Sequence, residues 1–275
     1  MKDKNQCLLD VLTIPADFED GIIYSDPGFN THKSAKNQTT KGLYDTLFGV
    51  FERNWSAIKA YESLKDPKND IVLEMGCADM PLFESFKVMR MFPNYIGVDI
   101  RKDYLSAAAP RNRKDVLAIC ADLTKPLPIK DESISAIAID EVIEHIPQDG
   151  NLALFREAYR ILKPGGKIFL ATPVNTRDRE FHNTKDEESL GHIFFWNTED
   201  LEEELMKIGF TSMDKKWGYS ISSKIKIGEI KKSLHPEVNK FIEDISDMYG
   251  GPVARALALS AKDVVNGGCR FTITK

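Results

Sequence analysis

Five short apolar runs, each followed by a stretch with helical spacing, constrain the fold of this chain more than any other feature. They are Ile71-Val72-Leu73-Glu74-Met75, Tyr95-Ile96-Gly97-Val98-Asp99, Val116 to Cys120, Ile134 to Ile139 and Lys167 to Thr172. Near-continuous apolar strands are buried on both faces, and strands alternating with helices form parallel sheets between two helix layers. Phe210 to Tyr219 and Cys269 to Thr274 supply a sixth and a seventh strand. The expected fold is α/β: a seven-stranded, mostly parallel sheet with helices on both faces.

The helices follow from apolar residues three and four apart. They are expected over Leu43 to Leu64, stopped at Asp66-Pro67, and over Leu82 to Met91, Asp103 to Ala109, Leu152 to Leu162 and Glu199 to Ile208. Pro164-Gly165-Gly166 is read as the turn that breaks the fourth of these. Residues 1–42 are poorly periodic and read as an N-terminal arm or lid. Residues 43–220 form the core, 221–266 a helical cap inserted before the last strand, and 267–275 that strand. An insertion there would sit at an end of the sheet, where it covers a substrate.

Composition narrows the functional classes. Lys plus Arg number 37 against 42 Asp plus Glu, a net charge of −5, which disfavours a nucleic-acid partner because affinity for a phosphate backbone comes from cations. No apolar run approaches membrane-spanning length, and Met1-Lys2-Asp3-Lys4 begins no signal peptide. Cys7, Cys77, Cys120 and Cys269 form no paired motif. Cys77 and Cys120, in strand-like contexts, read as buried thiols, and a reducing cytoplasm fits better than disulfides or a zinc site.

In open parallel sheets ligands bind beyond the carboxyl ends of the strands. Here those ends carry Glu74-Met75-Gly76-Cys77-Ala78, then Asp99-Ile100, then Asp122-Leu123, then Asp140-Glu141. Gly76 lets a backbone approach a ligand, and Ala78 fits that turn only with a negative φ. Asp99, about twenty residues on, is spaced to accept from both ribose hydroxyls. Asp122 can accept from an exocyclic amine while Leu123 packs on a base. The Gly-x-Gly-x-x-Gly turn of pyrophosphate sites is absent. Carboxylates around one crevice suit a nucleoside that carries positive charge.

Glu74-x-Gly76-x-Ala78, Asp99, Asp122, Asp140-Glu141-Val142-Ile143-Glu144-His145 and Leu162-Lys163-Pro164-Gly165-Gly166 together resemble the class I S-adenosylmethionine-dependent methyltransferases, and within them the type-11 group. The resemblance covers about Ile71 to Phe210 and implies a Rossmann-like fold with S-adenosyl-L-methionine as cofactor. It implies that Glu74 and Gly76 line the methionine side, Asp99 holds the ribose, and Asp122 with Leu123 holds the adenine, with Cys77, Ile100 and Asp140 as further cofactor-binding residues. Where this chain has Ala78 and Met80 the family usually has glycine. The implied activity is methyl transfer to an oxygen, nitrogen or carbon of a small-molecule acceptor, with His145 or Glu141 as base.

Glu141, Glu144 and His145 stand at i, i+3 and i+4, one face of a helical turn, and His192 lies downstream in Gly191-His192-Ile193-Phe194-Phe195-Trp196. This set is similar to the metal site of small-RNA terminal 2′-O-methyltransferases, which implies an alternative: a metal-dependent RNA 3′-terminal enzyme with Glu141, Glu144, His145 and His192 as ligands. Acid–histidine pairs are common in the type-11 group without metal, so none is expected. A third alternative is a methyltransferase-fold protein that binds without turnover. His182 is read as a solvated loop residue, and Trp55, Trp196 and Trp217 as packing residues.

Overall fold

The computed structural model describes residues 4–13, 22–24, 55–78, 93–108, 116–175, 191–218 and 268–275. In chain order the elements are α1 (Lys4–Leu9), β1 (Ile22–Tyr24), α2 (Trp55–Glu62), β2 (Ile71–Met75), β3 (Asn94–Asp99), α3 (Lys102–Ala108), β4 (Val116–Cys120) and β5 (Ile134–Asp140). A 3₁₀ turn (Ile143–His145), α4 (Gln148–Ile161), β6 (Leu162–Pro173), α5 (Thr198–Ile208), β7 (Ser212–Gly218) and β8 (Gly268–Thr274) complete the set. The expected helix over 82–91, the cap over 221–266, Met80 and His182 lie outside the described residues.

The sheet runs β1-β4-β3-β2-β5-β6-β8-β7. The first six strands are parallel and β8 is antiparallel to both its neighbours. The strand order reverses between β2 and β5, so the crevice of an open α/β sheet lies at their carboxyl ends. Two expectations need correction. The sheet has eight strands, because Ile22-Ile23-Tyr24, too short to show a period, pairs in parallel with the open edge of β4. Pro164-Gly165-Gly166 does not break the helix: α4 ends at Ile161 and the glycines lie within β6. There they pair with the chain end, Gly165 N–H donating to Lys275 O and Lys275 N–H to Gly166 O, both at 3.1 Å.

Alternate residues of each strand feed two apolar layers. Leu73, Met75, Ile96, Val98, Ile137 and Ile139 face α4 and α5 through Leu154, Phe155, Leu201 and Leu205. Val72, Tyr95, Ala136 and Ala138 face the other way, toward Ala60 of α2. Alanines opposite alanine let α2 sit close to the sheet. The arm contributes to the core as well, since Leu8, Leu12 and Ile23 are buried in the first layer. Fully burying such a side chain stabilises by about 1.5–3 kcal/mol.

Candidate active site

The tip of β2 is built by its neighbours. Gly76 has φ +78°, and a Cβ there would stand 2.4 Å from Val142 Cγ2. The positive φ and the close approach to Val142, just beyond β5, both demand glycine here. Gly76 and Cys77 both donate backbone N–H to Val98 O, at 2.8 and 3.0 Å. Ala78 then takes φ +45°, which corrects the expected negative value. A left-handed alanine costs about 1–2 kcal/mol. The cost is offset by a charge-assisted bond, because Ala78 N–H donates to Asp99 Oδ2 at 2.8 Å.

Asp99 therefore has a structural task besides the one expected of it. Its Oδ1 accepts from Arg101 N–H at 2.8 Å, so one carboxylate ties the turns after β2 and β3 together. Burial raises its pKa, and the backbone donors at Arg101 and Ala78 work against that rise. The backbone of Ile100 is a third donor acting in the same direction. Beside it, Glu74 is buried and accepts a hydrogen bond from the Tyr95 hydroxyl. At the tip of β4, Asp122 Oδ1 accepts from Thr124 N–H at 2.9 Å and from its hydroxyl at 2.7 Å, while Leu123 joins the core. At the tip of β5, Asp140 Oδ2 accepts from the Ser56 hydroxyl of α2. Cys77 and Cys120 are buried, as expected, and burial pushes the Cys120 thiol up to about 11. Ile100, half-buried, offers its carbonyl to Cys120 Sγ at 3.7 Å.

Beyond β5 the acid–histidine cluster forms. Glu141 takes φ +52° and donates its N–H to Ala171 O at 2.9 Å. It stands just before the 3₁₀ turn that carries Glu144 and His145. Glu144 is 1% exposed. Its Oε2 accepts from the Thr172 hydroxyl at 3.1 Å, whereas Oε1 is buried with no donor among the described residues. Burial first, then the charge of Glu141, raise the pKa of Glu144 well above the usual carboxylate range. A proton held by this carboxyl pair resolves the conflict. Asn151, fully buried, pins the turn through Ile143 O and Ile146 O at 2.9 and 3.0 Å.

His145 lies at the surface of the cluster, with Nδ1 3.1 Å from Gly191 O. A carbonyl only accepts, so Nδ1 carries the proton and the neutral ring presents a lone pair at Nε2. Burial and the neighbouring His192 lower its pKa, partly opposed by the Gly191 carbonyl. His192 is buried, its ring centroid 4.8 Å from that of His145 and 5.7 Å from Phe195. The segment is clamped by Ile193 and Phe194 N–H groups, which donate to Glu144 O at 2.8 and 3.2 Å. Ile193 itself projects, 55% exposed. Ligand atoms of Glu144, His145 and His192 lie within 4.8 Å of one another. Three of the four residues singled out from the sequence as a metal set thus converge, and Glu141 adjoins them. Ser56, Tyr95, Asn151, Thr172 and Gly191 were not anticipated. No spacing rule links them to their partners, which approach only in the folded sheet.

Among the described residues no helix is long and apolar enough to cross a membrane. A curated relative, demethylluteothin O-methyltransferase of Streptomyces thioluteus, is 28% identical over 114 residues, 34% of this chain and 49% of that protein. The chain thus spans about half the length of that relative. Among solved structures, the phosphoethanolamine N-methyltransferase 2 of Haemonchus contortus, in complex with phosphomonomethylethanolamine and S-adenosylhomocysteine, superposes with a TM-score of 0.56 at 18% identity. It covers 82% of this chain and 53% of its own. A SAM-dependent methyltransferase from Archaeoglobus fulgidus gives 0.51 at 16% identity, covering 81% and 92%. At these identities the likeness is one of fold. Residues 50–214 match the methyltransferase domain family, more than half of the chain, and the chain belongs to that family.

Proposed function

We propose that this protein methylates a small-molecule acceptor with S-adenosylmethionine, using Glu74, Asp99 and Asp122 to hold the donor and His145 to take the acceptor's proton. The observation that carries the reading is the set of carboxylates at the tips of adjacent parallel strands beside the β2–β5 reversal, in a chain of the methyltransferase domain family. When bound, the donor supplies a methyl group already activated by the sulfonium.

The residues then have positioning and proton work to do. Asp99 accepts from the ribose hydroxyls. Asp122 accepts from the adenine amine with Oδ2, which has no protein donor among the described residues. Glu74 balances positive charge on the methionine side. Alignment of the acceptor in line with the methyl group supplies most of the acceleration. His145, its tautomer fixed by Gly191, accepts the acceptor's proton at Nε2. Isothermal titration of the folded protein with S-adenosylmethionine and S-adenosylhomocysteine tests the reading: binding of both is expected, and no heat with either rejects it.

One observation favours a second reading, a divalent metal held by Glu144, His145 and His192. The buried Oε1 of Glu144, with no donor among the described residues, lies with two imidazoles in a donor set that suits Mn²⁺ or Fe²⁺. Such a metal would supply a Lewis acid able to grip adjacent hydroxyls, as at an RNA 3′ end. Turnover of RNA ends abolished by chelator supports this reading; turnover of a small acceptor unaffected by chelator eliminates it.

A further inference from the structure

We propose that Tyr95 is a positioning residue for the cationic arm of the methyl donor: its hydroxyl fixes the Glu74 carboxylate in place and in its charged form, and Glu74 in turn holds the methionine ammonium. The proposal rests on the reading of the chain as an S-adenosylmethionine-dependent enzyme and names a part of that site which the tip residues alone do not reveal.

The geometry begins with register. Tyr95 pairs with Val72 and Glu74 with Gly97 across β2 and β3. Tyr95 and Gly97 are two residues apart and share a face of β3. The neighbour directly beside Glu74 therefore has no side chain, and the Tyr95 ring can lean along the strand until its hydroxyl reaches the carboxylate. Tyr95 is completely buried and Glu74 nearly so. A packing role alone would be met by phenylalanine. The hydroxyl is the part that requires explanation, because a buried polar group is retained where it has a partner to serve.

A buried carboxylate tends to take up a proton, and a donor hydrogen bond keeps it ionised. Tyr95 is a dependable donor. Burial and then the charge of Glu74 push its own pKa well above 10.0, so it stays protonated at any working pH. The pair sits two residues before the Gly76 turn, which Val98 and Asp99 hold rigidly against β3. The carboxylate thus has a fixed place next to the turn that follows β2. A neutral Glu74 would offer an ammonium only a fraction of that attraction.

The test is titration calorimetry with two probes. S-adenosylhomocysteine carries the amino-acid arm; 5′-methylthioadenosine keeps the adenosine and thioether but lacks the arm. Tyr95→Phe is expected to weaken S-adenosylhomocysteine about tenfold while changing methylthioadenosine less than about twofold. Glu74→Gln should give the same selective loss, and the double variant no further loss. Equal weakening of both probes, additive losses, or unchanged S-adenosylhomocysteine affinity in Tyr95→Phe overturns the proposal. If Tyr95→Phe fails to fold, Glu74→Gln decides: a loss shared by both probes removes the arm-reading role. A wild-type protein that binds neither probe rejects the methyl-donor reading itself, and this role with it.

Discussion

The two ends of the same sheet treat their carboxylates in opposite ways. At the amino end Asp70 is saturated. Oδ2 accepts from Lys65 and Asp66 N–H, and Oδ1 from the Ser135 hydroxyl and the Lys163 ammonium. Burial alone would raise its pKa, but Ser135, Asp66 and Lys163 outweigh that and hold it below the usual value. At the carboxyl end Asp99 and Glu144 are both pushed up, with burial the leading cause. Glu144 keeps one oxygen without a donor among the described residues, and Glu141 beside it sits in a left-handed backbone conformation. Saturated charge fastens strands together. Charge left undersupplied with donors is costly to the fold, and such cost concentrates where chemistry is done.

If that contrast is right, substitutions at the two ends separate activity from stability. The largest effect is expected at His145. His145→Ala should lower turnover by about 10²–10⁴-fold, the usual contribution of a positioned base. Initial rates with mass-spectrometric product detection check this; a loss below about threefold would remove the imidazole from the proton path. Asp99→Asn comes next. Charge-assisted hydrogen bonds contribute roughly 1.5–3 kcal/mol, so donor affinity should fall by about ten- to a hundredfold in calorimetry. Stability should fall as well, since Ala78 loses the charge that offsets its strained φ. Unchanged affinity would leave Asp99 a turn clamp only.

The sequence made the strands legible because residues buried on both faces are mostly apolar, and the acids at their tips could be placed by counting from them. The histidine cluster was visible from spacing, although Glu141 precedes the turn instead of sharing it. What the sequence could not show are approaches between distant segments. Val142 against Gly76, Ser56 on Asp140 and Thr172 on Glu144 join residues with no common period. The positive φ of Ala78 is hidden in the same way: it accompanies a bond to a carboxylate 21 residues away. β1 escaped because three apolar residues carry no periodicity.

At the amino end the effect is on stability alone. Asp70→Asn keeps the shape and removes the charge facing Lys163. The expected loss is about 1–2 kcal/mol after allowance for the solvent exposure of that lysine, with turnover per folded molecule unchanged. The sign with pH follows from the lowered pKa. The stabilisation is present above the unfolded-state value near 3.8 and disappears as pH falls through the folded one. Wild type and variant should therefore converge in urea midpoint at low pH and diverge toward neutrality. A constant gap across that range would mean that Asp70 acts through shape, not charge.

Glu144→Gln should produce the opposite slope with pH. The native carboxyl keeps a proton that the unfolded chain releases above about 4.5. Wild-type stability is thus complete below that pH and declines as pH rises toward the folded value, since the native state then binds more protons than the unfolded one. Glutamine resembles the protonated acid and does not titrate, so that decline should vanish. The variant should therefore gain on wild type as pH rises from 5 to 8. Urea midpoints of chelator-treated protein across this range measure it. Parallel curves would mean that Glu144 ionises like an exposed carboxylate, and the difference between the two ends of the sheet would then lie in geometry alone.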